Sequence, residues 1–178
     1  MYQPINWPTW RDAELAGHYR ASGAWGGRTI ADDARDWAER EPDATVFLGE
    51  TRPATYSVLY ADAQALAASL WDLGIRPGDV VSFQIPNWVE AAVLNIACAL
   101  IGAVINPVVP IYRDAEVGLM LEDCHSRVLF LPDVFRRYDF AAMIQRLKPS
   151  LPNLEHIVLV RAKADGVTID WVVLRNRL

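Results

Sequence analysis

Cysteine and histidine are scarce, with two Cys and three His in 178 residues. Cys98 and Cys124 cannot build a disulfide scaffold. Neither has a neighbour at metal-ligand spacing, so both read as plain core or surface thiols. Positive charge is short as well: 17 Lys plus Arg against 22 Asp plus Glu leaves −5. A general nucleic-acid binder needs cationic excess to neutralise phosphates, so the charge balance speaks against that class. Long apolar runs are missing too. A bilayer-spanning helix takes about 20 apolar residues. The most apolar stretch, 91–111, is broken by Asn95, Asn106, Pro107 and Pro110. It reads as a buried helix running into a buried strand. The first residues, Met1 to Trp7, carry neither a basic nor an apolar region, so no secretory signal is read there. A cytoplasmic, soluble protein with no transmembrane segment is the expectation. No fixed-period repeat and no low-complexity segment interrupts the chain.

What is present is ordinary globular composition, 52% hydrophobic and 22% charged. The apolar content rules out disorder, and the length suits one domain with a real core. Tryptophan is abundant, seven in all, with Trp7, Trp10, Trp25 and Trp37 near the start. Residues 1–43 read as a helical lead-in anchored by these rings. It has a short helix over 11–20, a glycine-rich loop over 23–27, and a helix capped by Thr29 that runs to Arg40. Residues 44–178 read as an α/β unit. Strands at 44–49 and 52–56 make a hairpin around Glu50-Thr51. Ser57 caps a helix whose apolar face is Leu59, Ala63, Leu66, Ala67, Leu70 and Leu73. Gly74 fits the position after its end.

Strands and helices then alternate. The strands are expected at 80–85, 103–109, 127–131 and 156–160. The helices are expected to be capped by Asn87, Asp114, Asp139 and Asp170. Continuous apolar strands separated by helices predict a mostly parallel, doubly wound α/β sheet covered on both faces.

Catalytic signatures are lacking. No lysine follows a glycine-rich turn, so no phosphate cradle is visible. The glycines of 23–27 precede a helix without following a strand and read as a hinge. His18, His125 and His156 are scattered, with no nucleophile or ligand at informative spacing. Glu122-Asp123 ends a helix and reads as a solvated face. Arg136-Arg137 stands out, because it follows a strand and the turn Pro132-Asp133. Loops after the carboxyl ends of parallel strands are where ligands bind. Two adjacent arginines there suit a phosphate clamp, or a solvated pair.

An ordered series of segments carries a resemblance. It runs Thr55-Tyr56-Ser57 with Leu59, then Gly74-Ile75-Arg76-Pro77-Gly78-Asp79-Val80-Val81. Pro86-Asn87 with Glu90 and Ala97 follow, then Gly102-Ala103-Val104, Pro107, Pro110 and Glu116. Over roughly residues 29–161 this resembles the N-terminal region of adenylate-forming enzymes: acyl-CoA synthetases, aryl-acid AMP ligases and relatives. The front segment, Tyr19-Arg20 to Trp25, is similar to the lead-in of dihydroxybenzoate–AMP ligases. It is also similar to cyclohexanecarboxylate–CoA-ligase-like synthetases. A member of that last group, or a bacterial fatty-acid–CoA ligase, is the nearest resemblance. Gly74 and Gly78 suit positive-φ turns that Pro77 stiffens.

The resemblance implies a two-step reaction in the full-length family. A carboxylate attacks ATP, with Mg²⁺, to give an acyl-adenylate; the thiol of coenzyme A then displaces AMP. It also implies that the catalytic segments lie beyond residue 178. They are a Ser/Thr/Gly-rich phosphate loop, a Tyr-Gly-x-Thr-Glu segment, the ribose-binding Asp, a hinge Arg and a C-terminal Lys. The chain is therefore expected to be a piece of a longer ligase, inactive alone and without a catalytic residue. No tightly bound cofactor is expected. The alternative is a stand-alone binding module of the same descent. By the same resemblance, the nucleotide end of coenzyme A would rest on 109–112 and on Arg136-Arg137, with Tyr112 either stacking on adenine or packing as a buried residue. The family domain contains two sheets, so the hairpin at 44–56 is expected to belong to a different sheet from the strands after Val80. Open strand edges then favour self-association.

Overall fold

A computed structural model describes residues 12–48, 53–163 and 168–176. Trp7, Trp10 and the turn at Glu50-Thr51 lie outside the described residues. The lead-in supplies α1 (Ala13–Ala21) and α2 (Ile30–Arg40). Thr29 and Asp32 form a capping box that starts α2: Thr29 Oγ1 accepts from Asp32 N, and the Asp32 carboxylate accepts from Thr29 N at 2.9 Å. The Trp rings of the lead-in cover neighbouring rings. Trp25 tilts over Tyr19 at 5.2 Å and Trp37 stacks on Tyr56 at 5.5 Å, and both remain over 40% exposed.

Strands β1 (Thr45–Leu48) and β2 (Pro53–Thr55) pair antiparallel as a separate two-stranded sheet. The expected hairpin thus stands apart from the main sheet. Next come α3 (Tyr56–Asp72), β3 (Val80–Phe83), α4 (Val89–Ile101), β4 (Val104–Pro107), α5 (Asp114–Asp123) and β5 (Val128–Leu131). A second hairpin, β6 (Val134–Phe135) and β7 (Tyr138–Asp139), precedes α6 (Phe140–Leu147) and a 3-10 turn at Lys148–Ser150. The chain continues with β8 (His156–Leu159), β9 (Ile169–Asp170) and α7 (Trp171–Arg175). The β6–β7 hairpin and β9 have no counterpart in the sequence reading. Each strand is two residues long, too short to show a periodicity.

The main sheet has five parallel strands in the order β4-β3-β5-β8-β9. Alternate residues of β5 face opposite ways, as strand geometry requires. Val128 and Phe130 join the core under α2, α3, α4 and α7, with Leu66, Leu70, Leu94 and Leu174. Leu129 and Leu131 join the core under α5 and α6, with Leu121, Phe140, Met143 and Ile144. Both faces are covered, so the doubly wound expectation holds.

Three caps shift from their expected residues. Thr55 Oγ1 accepts from Val58 N, while Ser57 Oγ donates to Pro42 O at 2.8 Å. α4 starts after Trp88 with no side-chain cap, so Asn87 stays outside it. Asp114 is the first helical residue of α5 and its carboxylate is taken by Arg146, while Glu116 accepts from Arg113 N at 3.2 Å. Asp139 and Asp170 cap as expected. Among the described residues, no helix is long and apolar enough to cross a membrane.

Candidate functional site

The order of the strands places the site. β3 leads through α4 to β4 on one side, and β4 leads through α5 to β5 on the other side of β3. The connections therefore diverge at β3 and β5. In open α/β sheets ligands bind outside the carboxyl ends of strands at such a switch point. Here those ends carry the segments 84–88, 108–113, 132–139 and 160–163.

Gln84 anchors the second of these segments from beneath. It is fully buried just past β3, and its backbone N–H donates to Phe130 O at 2.7 Å. Its amide Nε2 donates to Val109 O at 3.2 Å and Tyr112 O at 3.0 Å, which fixes the turn after β4. Arg113 reinforces that turn from the other side, donating from Nη1 to Pro110 O and Tyr112 O, both at 2.8 Å. Its guanidinium lies 3.9 Å over the Tyr138 ring. This stack ties the turn to the β6–β7 hairpin. Tyr138 Oη donates to Asp114 at 3.0 Å, and Arg146 reaches the same carboxylate from Nε at 2.8 Å. The Arg146 guanidinium holds the Asp114 carboxyl below the usual carboxylate range. Burial, then the Asp114 carboxylate, push the Tyr138 phenol up.

Arg136 and Arg137 are the two turn residues between β6 and β7, both exposed, with φ of 48° and 66°. Left-handed backbone at a non-glycine residue costs about 1–3 kcal/mol. Two successive cases in one tight turn are what a two-residue hairpin requires, and Asn-Gly is the usual choice there. Arg136 lies 5.3 Å over Phe135 and borders a pocket of about 150 Å³ with Pro110, Ile111, Arg113, Phe135 and Phe140. Arg137 and Tyr112 are not in that lining. Tyr112 is half-buried and packs on the core under α5 and α6. The structure thus brings Arg136 to the pocket and leaves Arg137 and Tyr112 out of its lining.

Two further groups flank the site. Arg161, at φ 60°, pairs with Glu90 at 2.9 and 3.0 Å and lies 4.1 Å over Trp88. Trp88 in turn meets Phe135 edge-on at 5.9 Å. Beside them an apolar groove of about 280 Å³ runs along Phe83, Ile85, Pro86, Pro107 and Val109. His125 and His156 sit at the opposite, amino end of the strands, and His18 is exposed on α1. Among the described residues, no three His, Cys, Asp or Glu side chains converge as a metal site. Burial pushes the Cys98 thiol up to about 12 and raises that of Cys124, so neither is a ready nucleophile.

Sequence reasoning missed Gln84, Arg113 and the Arg161–Glu90–Trp88 group. Gln84 had a signal, as an amide inside the apolar run 80–85. Arg113 and Arg161 had none, because their partners come from other elements.

The comparisons with known proteins agree with this architecture. The family described as AMP-binding enzyme matches residues 34–172. The medium-chain fatty-acid–CoA ligase of Escherichia coli is 36% identical over 141 residues, 79% of this chain and 25% of that protein. The salicyl-AMP ligase / salicyl-S-ArCP synthetase of Mycobacterium tuberculosis is 35% identical over 168 residues, 91% of this chain and 29% of that protein. The chain thus spans less than a third of the length of these relatives. The apo structure of MbtA from Mycobacterium smegmatis superposes with a TM-score of 0.81 at 28% identity, covering 98% of this chain and 31% of that one. A parallel sheet wound on both faces, a detached hairpin, and a match over most of the residues lead to one assignment: the chain belongs to the AMP-binding enzyme family.

Proposed function

We propose that residues 1–178 supply the N-terminal α/β scaffold of an ATP-dependent carboxylate–CoA ligase. In that reading the whole enzyme joins a carboxylate to AMP and then hands the acyl group to the thiol of coenzyme A. The names of the relatives favour a medium-chain fatty acid or an aryl acid as the carboxylate. The residues present do not fit ATP or Mg²⁺: the chain lacks a lysine-bearing phosphate loop, and no described carboxylates gather for a metal. No step of adenylate formation is therefore assigned to this chain. Coenzyme A fits better. Its nucleotide end is an anion with an aromatic base, and the carboxyl edge of the sheet offers Arg136, Arg137 and Tyr112 on two fixed loops. The observation that carries this reading is the cationic pocket beside Arg136, at the switch point of the sheet.

The test has two parts. Residues 1–178 alone are expected to give no carboxylate-dependent exchange of pyrophosphate into ATP. Exchange from this chain would overturn the assignment of chemistry elsewhere. Calorimetric titration is expected to detect coenzyme A binding, weakened about tenfold or more by Arg136→Ala with Arg137→Ala, as for a lost charge-assisted contact. Unchanged affinity in that variant would remove the site.

A further inference from the structure

Arg161 takes a left-handed backbone, φ 60°, just past the end of β8. One residue earlier the chain is still pinned to β5, where Val160 N–H donates to Leu131 O at 2.9 Å. Left-handed backbone at a non-glycine residue persists only where its surroundings over-determine it. Here the side chain does so. Nε and Nη2 both donate to the Glu90 carboxylate, at 2.9 and 3.0 Å, and the flat guanidinium lies 4.1 Å from the centre of the Trp88 ring. Glu90 stands in the first turn of α4 with its side chain only 13% exposed, so the paired carboxylate is largely out of water. One arginine after β8 thus sets the ring that begins α4 after β3.

Trp88 passes the contact on. Its ring meets Phe135 of β6 edge-on at 5.9 Å. The two rings belong to opposite faces of the sheet: Trp88 packs on the core under α2, α3, α4 and α7, and Phe135 on the core under α5 and α6. Their contact therefore crosses the carboxyl edge. The β6–β7 hairpin needs such support. Its strands are two residues each, its turn is two left-handed arginines, and a lone hairpin is marginal in water. Arg113 holds the β7 side by stacking on Tyr138, and Trp88 holds the β6 side.

We propose that Arg161 is a positioning residue: by fixing Trp88 it seats Phe135, and with it the β6–β7 hairpin, at the carboxyl edge of the sheet. Its importance for binding rests on the reading that coenzyme A docks on that hairpin. Arg161 acts through Trp88 and needs no contact with the ligand.

Hydrogen exchange of segment 132–139 is measured in residues 1–178, Arg161→Gly, Arg161→Lys, Trp88→Ala and the double variant Arg161→Gly with Trp88→Ala. Helix α3 is the reference segment, and coenzyme A is titrated against each protein. Arg161→Gly removes the side chain but relieves the left-handed backbone, so its urea midpoint is expected to stay near the parent's. Exchange at 132–139 is nonetheless expected to quicken about tenfold or more, with α3 unchanged, and coenzyme A to bind about fivefold or more weakly. Arg161→Lys keeps the charge but not the planar fork, so it is expected to quicken the same segment. It decides the question if Arg161→Gly melts early. With Trp88 already replaced, Arg161→Gly is expected to add nothing, because the ring it acts through is gone. Exchange at 132–139 that is unchanged, or that rises only together with α3, in both Arg161 variants overturns the positioning role and leaves the coenzyme A reading standing. Additive effects in the double variant overturn the route through Trp88. A loosened hairpin with coenzyme A affinity unchanged, or no binding by the unmodified chain, overturns the coenzyme A reading instead, since the exchange measurement needs no ligand.

Discussion

Arg127 is the side chain on which the amino end of the sheet depends. Its Nη1 reaches Asp79, which is wholly buried, and donates to Gly74 O at 3.0 Å. Its Nε and Nη2 grip Glu155 at 3.0 and 2.6 Å. One guanidinium thereby joins the end of α3, the start of β3 and the start of β8. Removing it would leave the Asp79 charge buried and uncompensated, the costly half of a buried pair. Arg127→Met is expected to lower unfolding free energy by about 3–5 kcal/mol in urea titrations. A second substitution, Asp79→Leu, is expected to restore most of that loss, because the unpaired charge goes with it. An unperturbed Arg127→Met would mean the pair contributes little. In the sequence Arg127 reads only as the first residue of a strand and Asp79 as part of a turn. Their meeting across 48 positions is a product of β3 and β5 lying side by side.

At the scale of elements, Gly102 shows how a local rule and a packing contact coincide. It ends α4 in the left-handed region at φ 71°, and a Cβ there would sit 3.2 Å from Pro77 Cβ. Gly102→Ala is expected to cost about 1–2 kcal/mol for the backbone, plus the shift of Pro77, read as a lower thermal midpoint. A midpoint equal to the parent's would show that the turn relaxes. Gly74 and Gly78 also take the positive φ, 88° each, that their positions before and within the turn predict. The helix order and the long strands were legible because their apolar periods are strong. The caps were less so. Ser57 and Asp114 are good capping residues by type, yet Pro42 O and Arg146 claim their side chains first. The β6–β7 hairpin was invisible for a different reason. Arg136-Arg137 is poor turn chemistry, and the stack of Arg113 on Tyr138 helps hold the hairpin instead.

For the molecule as a whole, β5 is the central strand and serves both cores. Phe130 is fully buried on one face, with its ring edge-on to Trp171 at 5.8 Å, and Leu129 is fully buried on the other. Phe130→Ala is expected to destabilise by about 3–5 kcal/mol, with loss of both faces in a single urea transition. Two separated transitions would show that the helices of each face unfold independently of the strand they share.

The 52% hydrophobic content and its alternation between strand and helix periods are enough for a covered, parallel α/β sheet. They are local properties of the chain, so the order of motifs carries the family as well. The candidate site is not local. Arg136 reads as a cation in a loop, but its pocket is completed by Arg113 and Ile111 from the turn after β4, which Gln84 holds from just past β3. Strand order alone brings these segments to one edge, and strand order is set by how helices pack on the two faces. No spacing along the chain records it.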